Sequence, residues 1–369
     1  MKQITEGRAR ILVPEASTFR NSEVFYNPEM AGQRDLAVSF LQVWQKAKAE
    51  PLSVCDPLAG SGVRATRMLL EVDGIEKVVI NDLNPQATKL IGKNLGLCGI
   101  PENRYELCNR DANILMLGSR SAFDYVDIDP FGSPVFYLDA AAAALKKDAL
   151  LACTAMDTGA LAGSFPSTCM RRYCIRNTRT DFLKEMGVRV LVTAIIKCMA
   201  RHDIGFSPLI SQHGHFFRVV GRVRRSGGMA GRSVEKIRMT SWCRSCLWRA
   251  VETVEKCPNC ESNIMHLGPL WTGPLHDREF CAKTLEEYKS RGFGNSIART
   301  LEAMVQESDF PFYYDIHKVY KKMKACPMSL ESVIEKLKGN GFSACRTHLC
   351  PTGIRTDAGI ADINKTIRS

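Results

Sequence analysis

The chain has 369 residues, more than one compact domain commonly needs, so two domains are expected. Its 45% hydrophobic and 24% charged residues exclude a disordered protein and fit a soluble globular one. The net charge of +11 is concentrated: residues 165–250 hold 17 Lys and Arg against 4 Asp and Glu, while the other 33 basic and 35 acidic residues nearly cancel. A basic middle of this kind suits a polyanionic partner, the plainer alternative being a solvated face.

The opening MKQITEGRARILVPE lacks the apolar core of a signal peptide, which leads us to expect a cytoplasmic protein whose fifteen cysteines are reduced thiols. Residues 36–48 carry apolar side chains at helical spacing and stop before Pro51. LSVCDPLAGSG reads as a strand running into a glycine turn, VRATRMLLEV as a helix and KVVIND as a strand. NPQATKLIGKNLGLCG is a helix, a short strand falls near Tyr105–Leu107, and FDYVDIDPFG is a strand and turn. DAAAAALKKDA predicts an alanine-rich helix and ALLACTAM a strand. This alternation predicts an α/β fold, a doubly wound Rossmann-like sheet with ligands at the carboxyl ends of its strands. The basic stretch adds a helix through residues 179–202 and a strand through 215–225, then a turn at SGGMAGRS. Its most apolar part, Val188 to Ile196, is interrupted by Arg189 and too short to cross a bilayer, so no membrane contact is expected. From about Leu267 helices and loops take over, with DIHKVYKKMK and SLESVIEKLKGNG reading as helices of a smaller α+β or winged-helix module. The expected domains are therefore 1–266 and 267–369.

Asp56-Pro57-Leu58-Ala59-Gly60-Ser61-Gly62 sits where the first strand of this alternation meets its helix. Glycine there permits a tight bend and close approach of a ligand to helix N-terminal amides. The turn matches neither the GxGxxG pyrophosphate pattern nor a P-loop, which argues against a nucleotide di- or triphosphate. Asp82 ends the second strand, 26 residues after Asp56, where a carboxylate can accept ribose hydroxyls. Asp111 follows the third strand, placed to meet an adenine amino group. Each acid alone is as readily a helix cap. Three at successive strand ends beside a glycine turn describe a pocket for adenosine without phosphates, as in S-adenosylmethionine. The fourth strand closes on Asp127-Ile128-Asp129-Pro130-Phe131-Gly132, with both aspartates on one side and proline ending the strand. A carboxylate and a carbonyl there can accept the hydrogens of an exocyclic amine, and the aromatic ring can stack on a base. The alternative is a strand-ending turn with a buried phenylalanine.

Cys243-x-x-Cys246, ten residues, and Cys257-x-x-Cys260 have the spacing of a zinc ribbon at about 243–260. Four thiolates leave no open position, so a structural zinc is expected. Arg244, Arg249 and Lys256 lie in or beside the ribbon, available to RNA or merely solvated.

Together the motifs resemble the tRNA guanine-26 N2-dimethyltransferases of archaea and eukaryotes, over nearly the whole chain. The resemblance rests on Val24-Phe25-Tyr26-Asn27-Pro28, Arg34-Asp35-Leu36, DPLAGSGVRATR, NDLNP, NRDAN, DIDPFGSP and the four cysteines. Gly268-Pro269-Leu270-Trp271, Arg346-Thr347-His348 and Pro351-Thr352-Gly353 add to it. It departs at Gln33, Cys345 and Leu349, and residues 152–163 agree only at Asp157-Thr158. The resemblance implies that Arg34, Arg64, Asp82, Asp111 and the backbone of Ala112 contact S-adenosylmethionine. Asp129 would hold the guanine N2 between Phe25 and Phe131, and the C-terminal region would help hold tRNA. A monomer is expected. Two rivals stay open: another exocyclic-amine methyltransferase (adenine N6, or a guanine enzyme stopping at one methyl), and a non-catalytic zinc-ribbon RNA-binding protein.

Overall fold

A computed structural model of the chain describes residues 1–15 and 24–368. It opens with a hairpin, β1 (Lys2–Glu6) and β2 (Ala9–Val13), followed by α1 (Ala31–Lys48). Alternating elements come next: β3 (Leu52–Asp56), α2 (Val63–Glu71), β4 (Ile75–Asn81), α3 (Pro85–Leu97), β5 (Tyr105–Cys108), α4 (Ala112–Gly118), β6 (Phe123–Ile128), α5 (Leu138–Ala144) and β7 (Leu145–Ala155). The chain continues through α6 (Thr158–Leu161), α7 (Pro166–Tyr173), α8 (Leu183–Arg201), β8 (Ile204–His213), β9 (Phe217–Arg225) and α9 (Gly227–Glu235). Next come β10 (Ile237–Trp242), β11 (Arg249–Ala250), β12 (Met265–Trp271), α10 (Arg278–Ser290), α11 (Asn295–Gln306), β13 (Tyr314–Asp315) and α12 (Ile316–Met323). The last elements are α13 (Leu330–Gly339), β14 (Ala344–Thr347), β15 (Cys350–Thr356) and α14 (Ile360–Arg368).

The central sheet has the order β5-β4-β3-β6-β7-β9-β8. From β5 to β7 every pairing is parallel, as the intervening helices require. All six residues of β6 are buried, the mark of a strand covered on both faces. Three residues separate β8 from β9, too few for a crossover, so these neighbours form a hairpin and the sheet is mixed. The expected α/β doubly wound fold is borne out.

Local chemistry explains the starts of the site helices. Asn84 caps α3 by accepting from Gln86 N at 2.9 Å, and Pro85 occupies the first turn, where a missing N–H costs nothing. Gly62 opens α2 at φ +73°, and a Cβ there would sit 2.8 Å from Ile91 Cγ1. Glycine is required on both counts.

Several local readings are corrected. Lys146, Lys147 and Asp148 belong to β7, not to the alanine-rich helix. SGGMAGRS is the body of α9, because packing overrides its glycines. Ser233 Oγ accepts from Phe206 N and donates to Phe206 O, and the Met229 backbone lies where a Cβ on Gly205 would clash. The hairpin β1–β2 and the strand β8 were not anticipated.

Two compact units divide the chain: one of residues 1–154, 220–226 and 279–302, the other of 155–219, 227–278 and 303–369. They interleave along the sequence, so 267–369 by itself makes up neither. Among the described residues, no helix is long and apolar enough to cross a membrane.

Candidate active site

The loops at the carboxyl ends of β3, β4, β5 and β6 carry the predicted residues. Gly60, at φ +55°, donates its N–H to Asp82 Oδ2 at 2.8 Å, and Asn84 N donates to Asp82 Oδ1 at 2.9 Å. The Asp82 carboxylate is thereby fixed against the glycine turn. Asn81 fastens the neighbouring loops. Its Nδ2 donates to Pro57 O and Arg110 O, and its Oδ1 accepts from Arg110 N. Asp111 caps α4, with Oδ1 accepting from Asn113 N and Ile114 N at 2.9 and 3.1 Å. This is the cap the sequence allowed, and it leaves Oδ2 and the first-turn amide of buried Ala112 for a ligand. Leu83 and Ile114, both exposed, follow the two acids closely and were not singled out from sequence; exposed apolar side chains beside polar strand ends are their signal.

Arg64, in the first turn of α2, ties together the acids of the fourth loop. Its Nη2 donates to Asp129 Oδ2 at 2.6 Å, and its Nη1 lies 3.3 Å from Asp127 Oδ2. Tyr125 Oη also donates to Asp127 Oδ2, at 2.7 Å. Both aspartates face the same group, as strand alternation predicts. Asp56 is buried beside them, and its Oδ2 has no hydrogen-bond partner among the described residues. Burial, followed by the charges of Asp127, Asp129 and Asp82, pushes its carboxyl up to about 7, with Arg64 opposing the rise.

Pro130 is buried and turns the chain outward, leaving Phe131 77% exposed. Its ring meets Phe25 edge to face, centroids 4.9 Å apart. An exposed phenylalanine held against a second ring is not the buried one of the plainer reading. A base entering between the rings must part them.

Arg34 is placed differently. Its Nε and Nη2 bind Glu6 Oε1 and Oε2, each at 2.6 Å, and Nη2 also donates to Asn27 O at 3.0 Å. Arg67 Nη1 reaches the same Glu6 Oε1 at 3.1 Å, and Tyr26 Oη donates to Oε2. Burial would raise the Glu6 carboxyl, but the bonds and charges of Arg34 and Arg67 hold it below the usual range. The network anchors the N-terminal hairpin beneath the Phe25 segment. Glu6 and Arg67 were missed because ion pairs distant in sequence leave no motif.

The cysteines expected to bind metal converge. Cys243 Sγ lies 3.5 Å from Cys260 Sγ, and Cys246 Sγ 3.5 Å from Cys257 Sγ. All four sulfurs are within 4.8 Å of one another. A tetrahedral ion with about 2.3 Å bonds to sulfur spaces its ligands by about 3.8 Å. These distances fit such an ion and are far too long for disulfides, which need about 2.05 Å. Each CxxC sits on a turn closed by a left-handed residue, Leu247 or Glu261, whose N–H donates to O of Cys243 or Cys257. Arg249 is neither solvated nor open to RNA. Its side chain is 4% exposed, pairs with Asp181 and lies 3.9 Å from the Tyr314 ring centroid. Arg244 and Lys256 are exposed.

A second cluster, His276, Glu307 and His348, also places its ligand atoms within 4.8 Å. Glu307 there binds His348, Arg355 and Thr347 Oγ1, while Glu185 pairs with Arg189 and Arg355. Two buried carboxylates already match two guanidiniums, so a divalent ion would bring uncompensated charge. Arg346-Thr347-His348 thus serves the core rather than a surface, except for Arg346, which pairs with exposed Glu331.

The sheet order, the glycine turn locked to Asp82 and the acids at the strand ends define an α/β methyltransferase. The chain belongs to the family of N2,N2-dimethylguanosine tRNA methyltransferases, whose model matches residues 7–368. It is 35% identical to the tRNA (guanine(26)-N(2))-dimethyltransferase of Methanothermobacter thermautotrophicus, over 100% of this chain and 98% of that protein. It is 36% identical to the tRNA (guanine(26)-N(2)/guanine(27)-N(2))-dimethyltransferase of Aquifex aeolicus, over 99% and 95%. Among solved structures, Trm1 from Pyrococcus horikoshii with S-adenosyl-L-methionine superposes with a TM-score of 0.91 at 30% identity, covering 100% of both chains.

Proposed function

We infer that this chain transfers one or two methyl groups from S-adenosylmethionine to the exocyclic N2 of a guanine in tRNA, at position 26. The observation that carries this reading is the fourth strand end. There Asp129, an amine-accepting carboxylate, stands beside Phe131, which is exposed and touches Phe25. The guanine N2 lone pair is delocalised into the ring. A carboxylate accepting its hydrogens holds the nitrogen in place and raises its electron density. The two rings would clasp the base, which must leave its helix to be reached. A second transfer requires the monomethyl amine to turn its remaining hydrogen toward Asp129.

Bound S-adenosylmethionine supplies an electrophilic methyl group. Asp82 fits the ribose hydroxyls, Asp111 and the Ala112 amide the adenine, with Leu83 and Ile114 offering apolar contact. The turn of Gly60 and Gly62 allows close approach, with Asp56 beneath it. Arg64 would meet the rest of the cofactor, whereas Arg34 would do so only by giving up its bonds to Glu6.

The four cysteines would hold one structural zinc, the sulfur spacing supporting this. We assign catalysis and cofactor binding to 1–266, since the turn, the acids and the ribbon all precede 267, and to 267–369 a share in holding tRNA. A monomer in the cytoplasm is the expected working state; a single-chain elution volume on sizing chromatography would support the first point.

The test is to incubate the protein with unmodified tRNA transcript and labelled S-adenosylmethionine, digest to nucleosides and weigh the product. Dimethylguanosine is expected. Methyladenosine, or tRNA binding with no methylated product, would overturn the assignment.

A further inference from the structure

Only nine of the 17 basic residues in 165–250 are exposed, and four of these, Arg171, Arg172, Arg176 and Arg179, fall within nine residues. Just ahead of these arginines the chain presents apolar groups to solvent: Met156, Phe165 and Met170, the second 62% exposed. Between residues 156 and 180 the one acid is Asp157, and it is committed, its Oδ1 accepting from Tyr173 Oη at 2.7 Å and its Oδ2 from Arg172 at 3.0 Å.

Phe165 is exposed but not loose. Its N–H donates to Gly159 O at 3.0 Å, its carbonyl accepts from Thr168 N and Cys169 N at 3.1 Å, and Pro166 follows it. The ring lies against Gly159, where a Cβ would come within 2.6 Å of two ring carbons. Glycine at 159 is what lets the ring seat there. A phenyl group fixed against backbone and left largely in water, among guanidiniums with little opposing charge, has the chemistry of a nucleic-acid platform. Bases stack on the ring and phosphates meet the arginines.

We propose that Phe165 and the arginines of α7 and the loop after it form a tRNA-docking ledge, where Phe165 stacks on an unpaired or displaced nucleotide and Arg171, Arg176 and Arg179 hold phosphates. This rests on tRNA being the substrate. An acidic peptide would use the arginines but would have no need of an exposed ring seated against Gly159.

The test compares wild type with Phe165→Ala, Phe165→Trp and the triple variant Arg171→Ala/Arg176→Ala/Arg179→Ala, leaving Arg172 with Asp157. Phe165→Ala is expected to raise the KM for tRNA roughly 5- to 100-fold, kcat at saturating tRNA staying within a few-fold and Phe165→Trp restoring affinity. The triple variant is expected to make the dependence of log affinity on log salt shallower by about 2 to 3. S-adenosylhomocysteine affinity and the melting temperature serve as folding controls. An active wild type whose folded variants keep its KM and salt slope would overturn the ledge. Variants that lose tRNA binding while wild type makes no methylguanosine would overturn the enzymatic reading and keep the ledge. Should Phe165→Ala fail to fold, the triple variant, confined to exposed side chains, decides.

Discussion

Asp56 gives a prediction whose sign follows from its surroundings. Its carboxyl is buried, has no partner at Oδ2 among the described residues and is pushed up to about 7 from 3.8. In the unfolded chain it titrates near 3.8, so between about pH 4 and 7 the native state binds the extra proton. Stability from this group is therefore fully present below pH 4 and lost as pH rises through 7. Three pH units at 1.36 kcal/mol each set a ceiling of about 4 kcal/mol. Asp56→Asn keeps the shape and removes the charge. Its stability relative to wild type should climb by up to about 4 kcal/mol between pH 4 and pH 8. The absolute offset is less informative, because a buried amide and a buried carboxylic acid both lack partners there. The assay is urea unfolding of both proteins across that range, read as the difference at each pH so that shared titrations cancel. A difference that stays flat, or falls, would show that Asp56 is ionised and satisfied, and the reasoning from burial and neighbouring carboxylates would be wrong.

Three further outcomes follow from the site. Asp129→Ala should keep tRNA affinity within a few-fold while methyl transfer falls by about 100-fold or more; substantial turnover would remove Asp129 from the mechanism. Asp82→Ala should weaken S-adenosylhomocysteine about 10- to 100-fold in equilibrium titration, since a fixed charged acceptor is lost, and unchanged affinity would overturn the ribose assignment. Native protein should carry one zinc per chain by elemental analysis, and its chelation should lower the melting temperature; metal-free native protein would end the ribbon reading.

The sequence disclosed what is local. Asp56, Asp82 and Asp129 stand at or just after strand ends and precede a breaker or a cap, and Asp111 is itself a cap, so topology alone brought them to one edge of the sheet. The two CxxC pairs were readable because ligand spacing is itself local. What stayed hidden depends on contacts distant in the chain. Glu6 lies 28 residues from Arg34 and 61 from Arg67, and nothing near Glu6 marks it as the acid that holds both. Glu307 has the same history with Thr347 and Arg355, 40 and 48 residues on. The SGGMAGRS segment misled for a related reason: its glycines argue for a turn, and only the fit of Ser233 against Phe206 makes a helix the better choice.

The structure also strengthens an inference the motifs left thin. The missing GxGxxG pattern argued against a phosphate-bearing ligand only by absence. In the folded chain burial, and after it the charges of Asp127, Asp129 and Asp82 at the same strand ends, lifts the Asp56 carboxyl to about 7. Arg64 is shared between two of these acids, and Arg34 is given to Glu6. A pyrophosphate would enter a field of its own sign, at a cost that a single divided guanidinium does not offset. S-adenosylmethionine has no phosphate, and its sulfonium is cationic. The electrostatics that make Asp56 unfavourable are therefore those that suit a site for a positively charged methyl donor.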